Sequence, residues 1–118
     1  MRKVFHLSTC STCQKILKET NAPSVCTLQD IKTQAIGEED LDWLASKIGS
    51  YEALFSRKAL KYRAMGLHEK ELSEKDYRDL ILQEYTFLKR PVIIVDDHVF
   101  VGNLKKTVAE AKELIVGF

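Results

Sequence analysis

Net charge is nearly absent from this chain: 18 basic residues meet 17 acidic ones, leaving +1 overall. Such a balance provides no basic footprint for nucleic acid or an anionic membrane surface. Long apolar runs are also missing, so no segment approaches the length of a transmembrane helix. The opening Met1-Arg2-Lys3-Val4 lacks the apolar stretch of a secretory signal. Cysteine is scarce at three residues, an odd number and too few for the disulfide framework of a secreted scaffold. These absences place the expected address in the reducing cytoplasm. Of two prolines, Pro23 breaks a helix and Pro91 opens a strand. Internal repeats, linkers and low-complexity tracts are lacking. The 118 residues therefore read as one domain, 1–118, large enough to be stable without cross-links.

What is present begins with two closely spaced cysteines. The apolar run Val4-Phe5-His6-Leu7 leads through Ser8-Thr9 into Cys10-Ser11-Thr12-Cys13, and a helical pattern follows at once. That order puts Cys10 at a strand-to-helix turn. There the unpaired amides and positive dipole end of a helix favour an anion. A thiolate is such an anion, so Cys10 is the expected reactive thiol. Cys13 is either its redox partner or a packing residue on the first helix. Zinc would need two further ligands, and neither a second C-x-x-C nor a closely spaced histidine pair exists, so no metal is expected. Cys26 lies in an apolar stretch and reads as core. His68 and His98 read as loop or turn residues, and Lys105 and Lys106 as a solvated helix face.

The periodicity predicts a strand over 3–8, a helix over 11–20 and a second strand from Ser24 to Leu28. A helix follows between Gly37 and Gly49, with Leu41, Leu44 and Ile48 inward. Short helices are expected from Tyr51 to Gly66. Ser73-Glu74-Lys75-Asp76 resembles a capping box for a helix carrying Tyr77, Leu80, Ile81 and Tyr85 on one side. Pro91-Val92-Ile93-Ile94-Val95 reads as a buried central strand, Asp96-Asp97 as a turn and His98 to Val101 as the return strand. Asn103 is the expected cap of a last helix whose inner face is Leu104, Val108, Ala111 and Ile115. The order β-α-β, helical middle, β-hairpin, α, with C-x-x-C after the first strand, points to an α/β thioredoxin-like fold. Its helical insertion, roughly 37–86, lies between the second strand and the C-terminal hairpin.

The chain resembles the ArsC-like arsenate reductase family, which includes the Spx regulators, over essentially its whole length. The residues carrying the likeness are Cys10-Ser-Thr-Cys13, Ser56-Arg57-Lys58 with Tyr62 and Gly66-Leu67, Arg90-Pro91-Val92-Ile93, and Val101-Gly102 before the last helix. The resemblance implies a glutaredoxin-like domain in which Cys10 is the nucleophile and Pro91 a cis-proline. It implies that His6, four residues before the nucleophile, tunes the thiol; on its own, His6 reads equally as a plain strand residue. Arg57 and Arg90, by default solvated charges, become oxyanion-binding residues, a task suited to the forked guanidinium. Cys10 would attack arsenic, and a second thiol, Cys13 or glutathione, would reduce the adduct.

No bound cofactor is implied; electrons would come from glutathione with glutaredoxin, or from thioredoxin. The family's glutathione-dependent members use a third arginine near the last strand, where this chain has Val101-Gly102-Asn103. That ending is more similar to the Spx-type and uncharacterised branches; Spx-type members dock on RNA polymerase and use C-x-x-C as a redox switch. The lack of a basic tail after the expected last helix would favour an enzyme or an orphan redox protein, and the missing third arginine would favour the regulator or an orphan. A thiol oxidoreductase and a redox-sensing regulator are thus both open readings.

Overall fold

A computed structural model describes all residues, Met1–Phe118. The chain folds into two compact units: Met1–Ala35 with Arg90–Phe118, and Ile36–Lys89. The second contains the stretch 37–86 read as the insertion.

The first unit is built on a four-stranded mixed sheet of β1 (Arg2–His6), β2 (Thr27–Asp30), β3 (Val92–Val95) and β4 (His98–Val101), in the order β2-β1-β3-β4. β1 and β2 are parallel, joined through helix α1 (Ser11–Thr20), as a parallel pair requires. β3 runs antiparallel to β1 and β4 antiparallel to β3. Asp96, at φ 56°, makes the tight turn between the last two strands. All four residues of β3 are buried, as its unbroken apolar run predicts.

Helices α1 and α5 (Lys105–Val116) pack together on the sheet. Ile16 and Leu17 of α1 and Val108, Ala111 and Ile115 of α5 share a core with Val4, Ile93, Val95 and Cys26. Their spacing along each helix is what brings one apolar side to the sheet. Each larger aliphatic side chain removed from water stabilises the unit by about 1.5–3 kcal/mol. Helix α1 ends at Asn21, in the left-handed region at φ 59°, with Pro23 just beyond.

Several element boundaries differ from the sequence expectation, and the first strand covers Arg2–His6 rather than 3–8. The second strand begins at Thr27, not Ser24. Ala22–Ser24 forms a single 3-10 turn, and the Val25 and Cys26 amides both donate to the Ala22 carbonyl, which delays extended backbone. Cys26 thus precedes the strand but is still buried, its thiol 3.6 Å from the Ile94 carbonyl oxygen. The last helix is capped by Leu104, not Asn103, and no side chain caps it. Leu104, with the extended backbone of a cap residue, is 71% exposed, so it is not on the inner face. Tyr85 falls beyond α4 (Glu74–Gln83), in a separate 3-10 turn, Tyr85–Phe87.

The second unit holds α2 (Glu38–Ile48), α3 (Leu60–Ala64) and α4. α2 starts and stops at the expected glycines, Gly37 and Gly49. The Ser73 hydroxyl and Asp76 carboxylate form a reciprocal capping box at α4. Its core centres on Phe55, whose ring meets Tyr62, Tyr77 and Phe87 at centroid distances of 6.0, 4.9 and 5.0 Å. No helix of the chain is long and apolar enough to cross a membrane.

Candidate functional site

The two cysteines sit where strand β1 hands over to helix α1. After His6 the chain turns through 7–9, and Cys10 becomes the residue that caps α1, with extended backbone at φ −93° and ψ 110°. Its carbonyl accepts the Gln14 amide at 3.1 Å, the first helical bond, and its own amide donates to the Leu7 carbonyl at 3.0 Å. No side chain caps this helix end. The cap position is therefore held by Cys10, next to the first-turn amides that lack intrahelical partners.

One turn further, the two cysteines part ways. Cys10 is half-exposed, whereas Cys13 is 0% exposed. Burial pushes the Cys13 thiol above its ordinary value; the Leu7 amide, hydrogen-bonded to the sulfur, opposes that. Cys10 and Asp30 also push it up, and the Arg90 guanidinium pulls it down. Cys10, Asp30 and Arg90 are thus all near enough to act on one buried sulfur. No disulfide links the three cysteines.

His6 ends β1 and is buried, at 8% exposure. Its Nδ1 lies 3.1 Å from Nε2 of Gln14, and that same amide nitrogen donates to the Leu7 carbonyl at 2.9 Å. Arg90 and Pro91 precede β3, and the peptide bond between them is cis. Pro91 is buried, and its carbonyl accepts the Gly102 amide at 2.9 Å. Gly102 itself has φ +89°, a conformation that suits glycine.

Of the residues singled out in the sequence, His6, Cys10, Cys13, Arg90 and Pro91 thus fall in the first unit, and Arg57 in the second. There the Arg57 guanidinium donates to the Glu52 carboxylate at 2.6 Å and to the Tyr77 hydroxyl at 2.9 Å, at an exposed position. No group of three or more His, Cys, Asp or Glu side chains is placed to hold a metal ion.

The sequence did not single out Asp30, Ser8 or Gln14. The Asp30 carboxylate accepts the Ser8 amide at 3.3 Å, the Ser8 hydroxyl and the Lys32 amide. The Ser8 hydroxyl, above all, holds this carboxyl below its ordinary value. Asp30 therefore ties the cysteine loop to the end of β2. Its register partner across the sheet is His6. The only sequence signal for these residues was polarity at the edges of otherwise buried elements.

The family model described as ArsC family matches residues 5–111. No curated protein sequence matches the chain. Among solved structures, the chain is similar to an arsenate reductase from Vibrio cholerae, with TM-score 0.76, 17% identity, and coverage of 93% of this chain and 98% of that one. It is also similar to an arsenate reductase related protein from Brucella melitensis, with TM-score 0.70, 21% identity and 92% of each chain covered. A protein from Bacteroides fragilis described as ArsC family related gives TM-score 0.79 at 21% identity, covering 93% of this chain and 96% of that one. At these identities the likeness is one of fold, and that fold is thioredoxin-like.

Proposed function

The chain belongs to the ArsC family, and from that premise we propose that it is a thiol-dependent oxidoreductase with Cys10 as nucleophile and Cys13 as resolving thiol. One observation carries this reading: a half-exposed thiol sits at the cap position of helix α1, and a fully buried thiol stands one turn behind it. The outer sulfur meets a substrate, while the inner one stays protonated until the outer has reacted.

With arsenate, the Cys10 thiolate displaces a hydroxyl from arsenic, which leaves as water after taking a proton. A covalent As(V)–sulfur adduct results. Cys13 then loses its proton and attacks the Cys10 sulfur. The arsenic–sulfur bond breaks, its electron pair stays on arsenic, and arsenite departs. Arsenic gains the two electrons that the dithiol loses in becoming a disulfide. Glutathione with glutaredoxin, or thioredoxin, restores the dithiol by exchange. With a disulfide substrate, the same two thiols act in the same order and the leaving group is a thiolate. Arg90, close enough to act on the Cys13 sulfur, and the first-turn amides of α1 favour an anion here. Anion binding by Arg57 is a separate element of the proposal.

A second reading, a redox-sensing regulator that docks on RNA polymerase, is favoured by Gly102. Where the glutathione-dependent reductases have a third arginine, this backbone is left-handed, and an arginine side chain at that position would be strained. Arsenite release, followed with glutathione and glutaredoxin or with thioredoxin, tests the proposal. Turnover is expected with one of the two systems. Loss of one charged hydrogen-bond partner should lower kcat/KM about ten- to a hundredfold in Arg57→Ala or Arg90→Ala. Asn103→Arg, rather than Gly102→Arg, is the substitution expected to raise it. No reduction of arsenate or of a small disulfide, together with retention of RNA polymerase by the oxidised form alone, would replace the enzyme by the regulator.

A further inference from the structure

The Leu7 carbonyl can only accept hydrogen bonds, so the Gln14 atom 2.9 Å from it must be the amide nitrogen. That settles the orientation of a side chain whose oxygen and nitrogen are otherwise interchangeable. The same nitrogen lies 3.1 Å from His6 Nδ1. It has two hydrogens, one for each neighbour. His6 Nδ1 therefore receives a hydrogen bond and has its lone pair in use. In the neutral ring the proton must then sit on Nε2.

We infer that Gln14 is a positioning residue: it fixes His6 as the Nε2–H tautomer, so that this imidazole serves the cysteine site as a neutral hydrogen-bond donor through Nε2. His6 is buried, yet its Nε2 has no acceptor in the protein and is not enclosed as an unsatisfied buried atom. A donor held in place, with its proton position fixed and no internal partner, is what an incoming anion requires. The ligand class is an oxyanion or a thiolate leaving group. This use of the donor rests on the reading of Cys10 as nucleophile; the tautomer does not.

The groups around the ring fit this assignment. Asp30, paired with His6 across β1 and β2, is the carboxylate close enough to feel its charge. It is itself occupied by Ser8 and Lys32. Cys10 and Arg90 both act on the buried sulfur of Cys13, which shares α1 with Gln14. A proton on Nδ1 would meet the Gln14 amide hydrogens head on.

Histidine ring nitrogen shifts, recorded on uniformly nitrogen-15-labelled reduced protein, read the tautomer directly. The neutral His6 ring should show the Nε2–H pattern. Gln14→Leu removes the donor and should give a mixed pattern. Gln14→Glu replaces it by an acceptor and should move the proton to Nδ1 or charge the ring. A wild-type Nδ1–H pattern would overturn the inference, even if neither variant folds. So would an unchanged Nε2–H pattern in Gln14→Glu. Alkylation of Cys10 in the same samples separates the two proposals: an unreactive Cys10 beside an Nε2–H ring removes the nucleophile and leaves the Gln14 assignment standing.

Discussion

Cys10 and Cys13 are one helical turn apart and meet opposite surroundings. The first caps α1 in partial contact with solvent, and the second is sealed into the helix face that meets the sheet. Because burial holds Cys13 above the ordinary thiol value, its thiolate is scarce at neutral pH and rises with pH. Closure of the Cys10–Cys13 disulfide from a preformed Cys10 adduct should therefore quicken about tenfold per pH unit through the range 7 to 9. Stopped-flow measurement of adduct decay checks this, and a flat profile would remove Cys13 as the attacking thiol. The same shift has a thermodynamic sign. A raised thiol means that the folded protein holds a proton the unfolded chain has lost, so Cys13 costs stability as pH rises above the unfolded value. Cys10 and Cys13 were legible as a pair from spacing alone. Gln14 was not, because nothing local reveals that its amide spans back to Leu7 and His6.

At the scale of elements, the loop between β1 and α1 owes its shape to a carboxylate on a neighbouring strand. Asp30 takes the Ser8 amide and hydroxyl together with the Lys32 amide, and the Ile31 amide donates to the His6 carbonyl at 2.9 Å. These bonds hold the Asp30 carboxyl below its ordinary value. A lowered carboxyl contributes stability that is present above the unfolded value and lost as pH falls through the folded one. Asp30→Asn should thus melt below wild type at pH 7, with the gap closing under acid conditions below the ordinary aspartate range. Thermal melts at both pH values test the sign, and a gap that widens in acid would contradict it.

Element boundaries show how far the sequence could be read. Hydrophobic spacing located α1, α2 and α4, because each has one dominant buried side, and an unbroken apolar run located β3, whose four residues are all buried. It misplaced Leu104, whose distance from Val108 suits a helix face, because a cap residue's side chain lies off that face. It also misplaced the start of β2. Where that strand begins is set by pairing of Lys3 with Thr27, a contact between distant parts of the chain, and by the turn that follows Pro23.

Across the whole molecule, the order of strands and helices was readable because a parallel β1–α1–β2 step needs a crossover helix and a two-residue turn favours an antiparallel hairpin. The match to the ArsC family over residues 5–111 agrees with that reading. The third arginine's absence was visible as letters, but the reason an arginine suits Asn103 better than Gly102 lay in the backbone, at φ +89°. The central claim is that Cys10 attacks and Cys13 resolves. Mass spectrometry of Cys13→Ser and Cys10→Ser proteins, each mixed with glutathione disulfide under otherwise identical conditions, tests it most directly. Cys13→Ser should accumulate one stable glutathione adduct on Cys10, Cys10→Ser should stay unmodified at Cys13, and wild type should pass through the adduct to an internal Cys10–Cys13 disulfide. An adduct on Cys13 in the Cys10→Ser protein, or no adduct on Cys10 in the Cys13→Ser protein, would contradict the account.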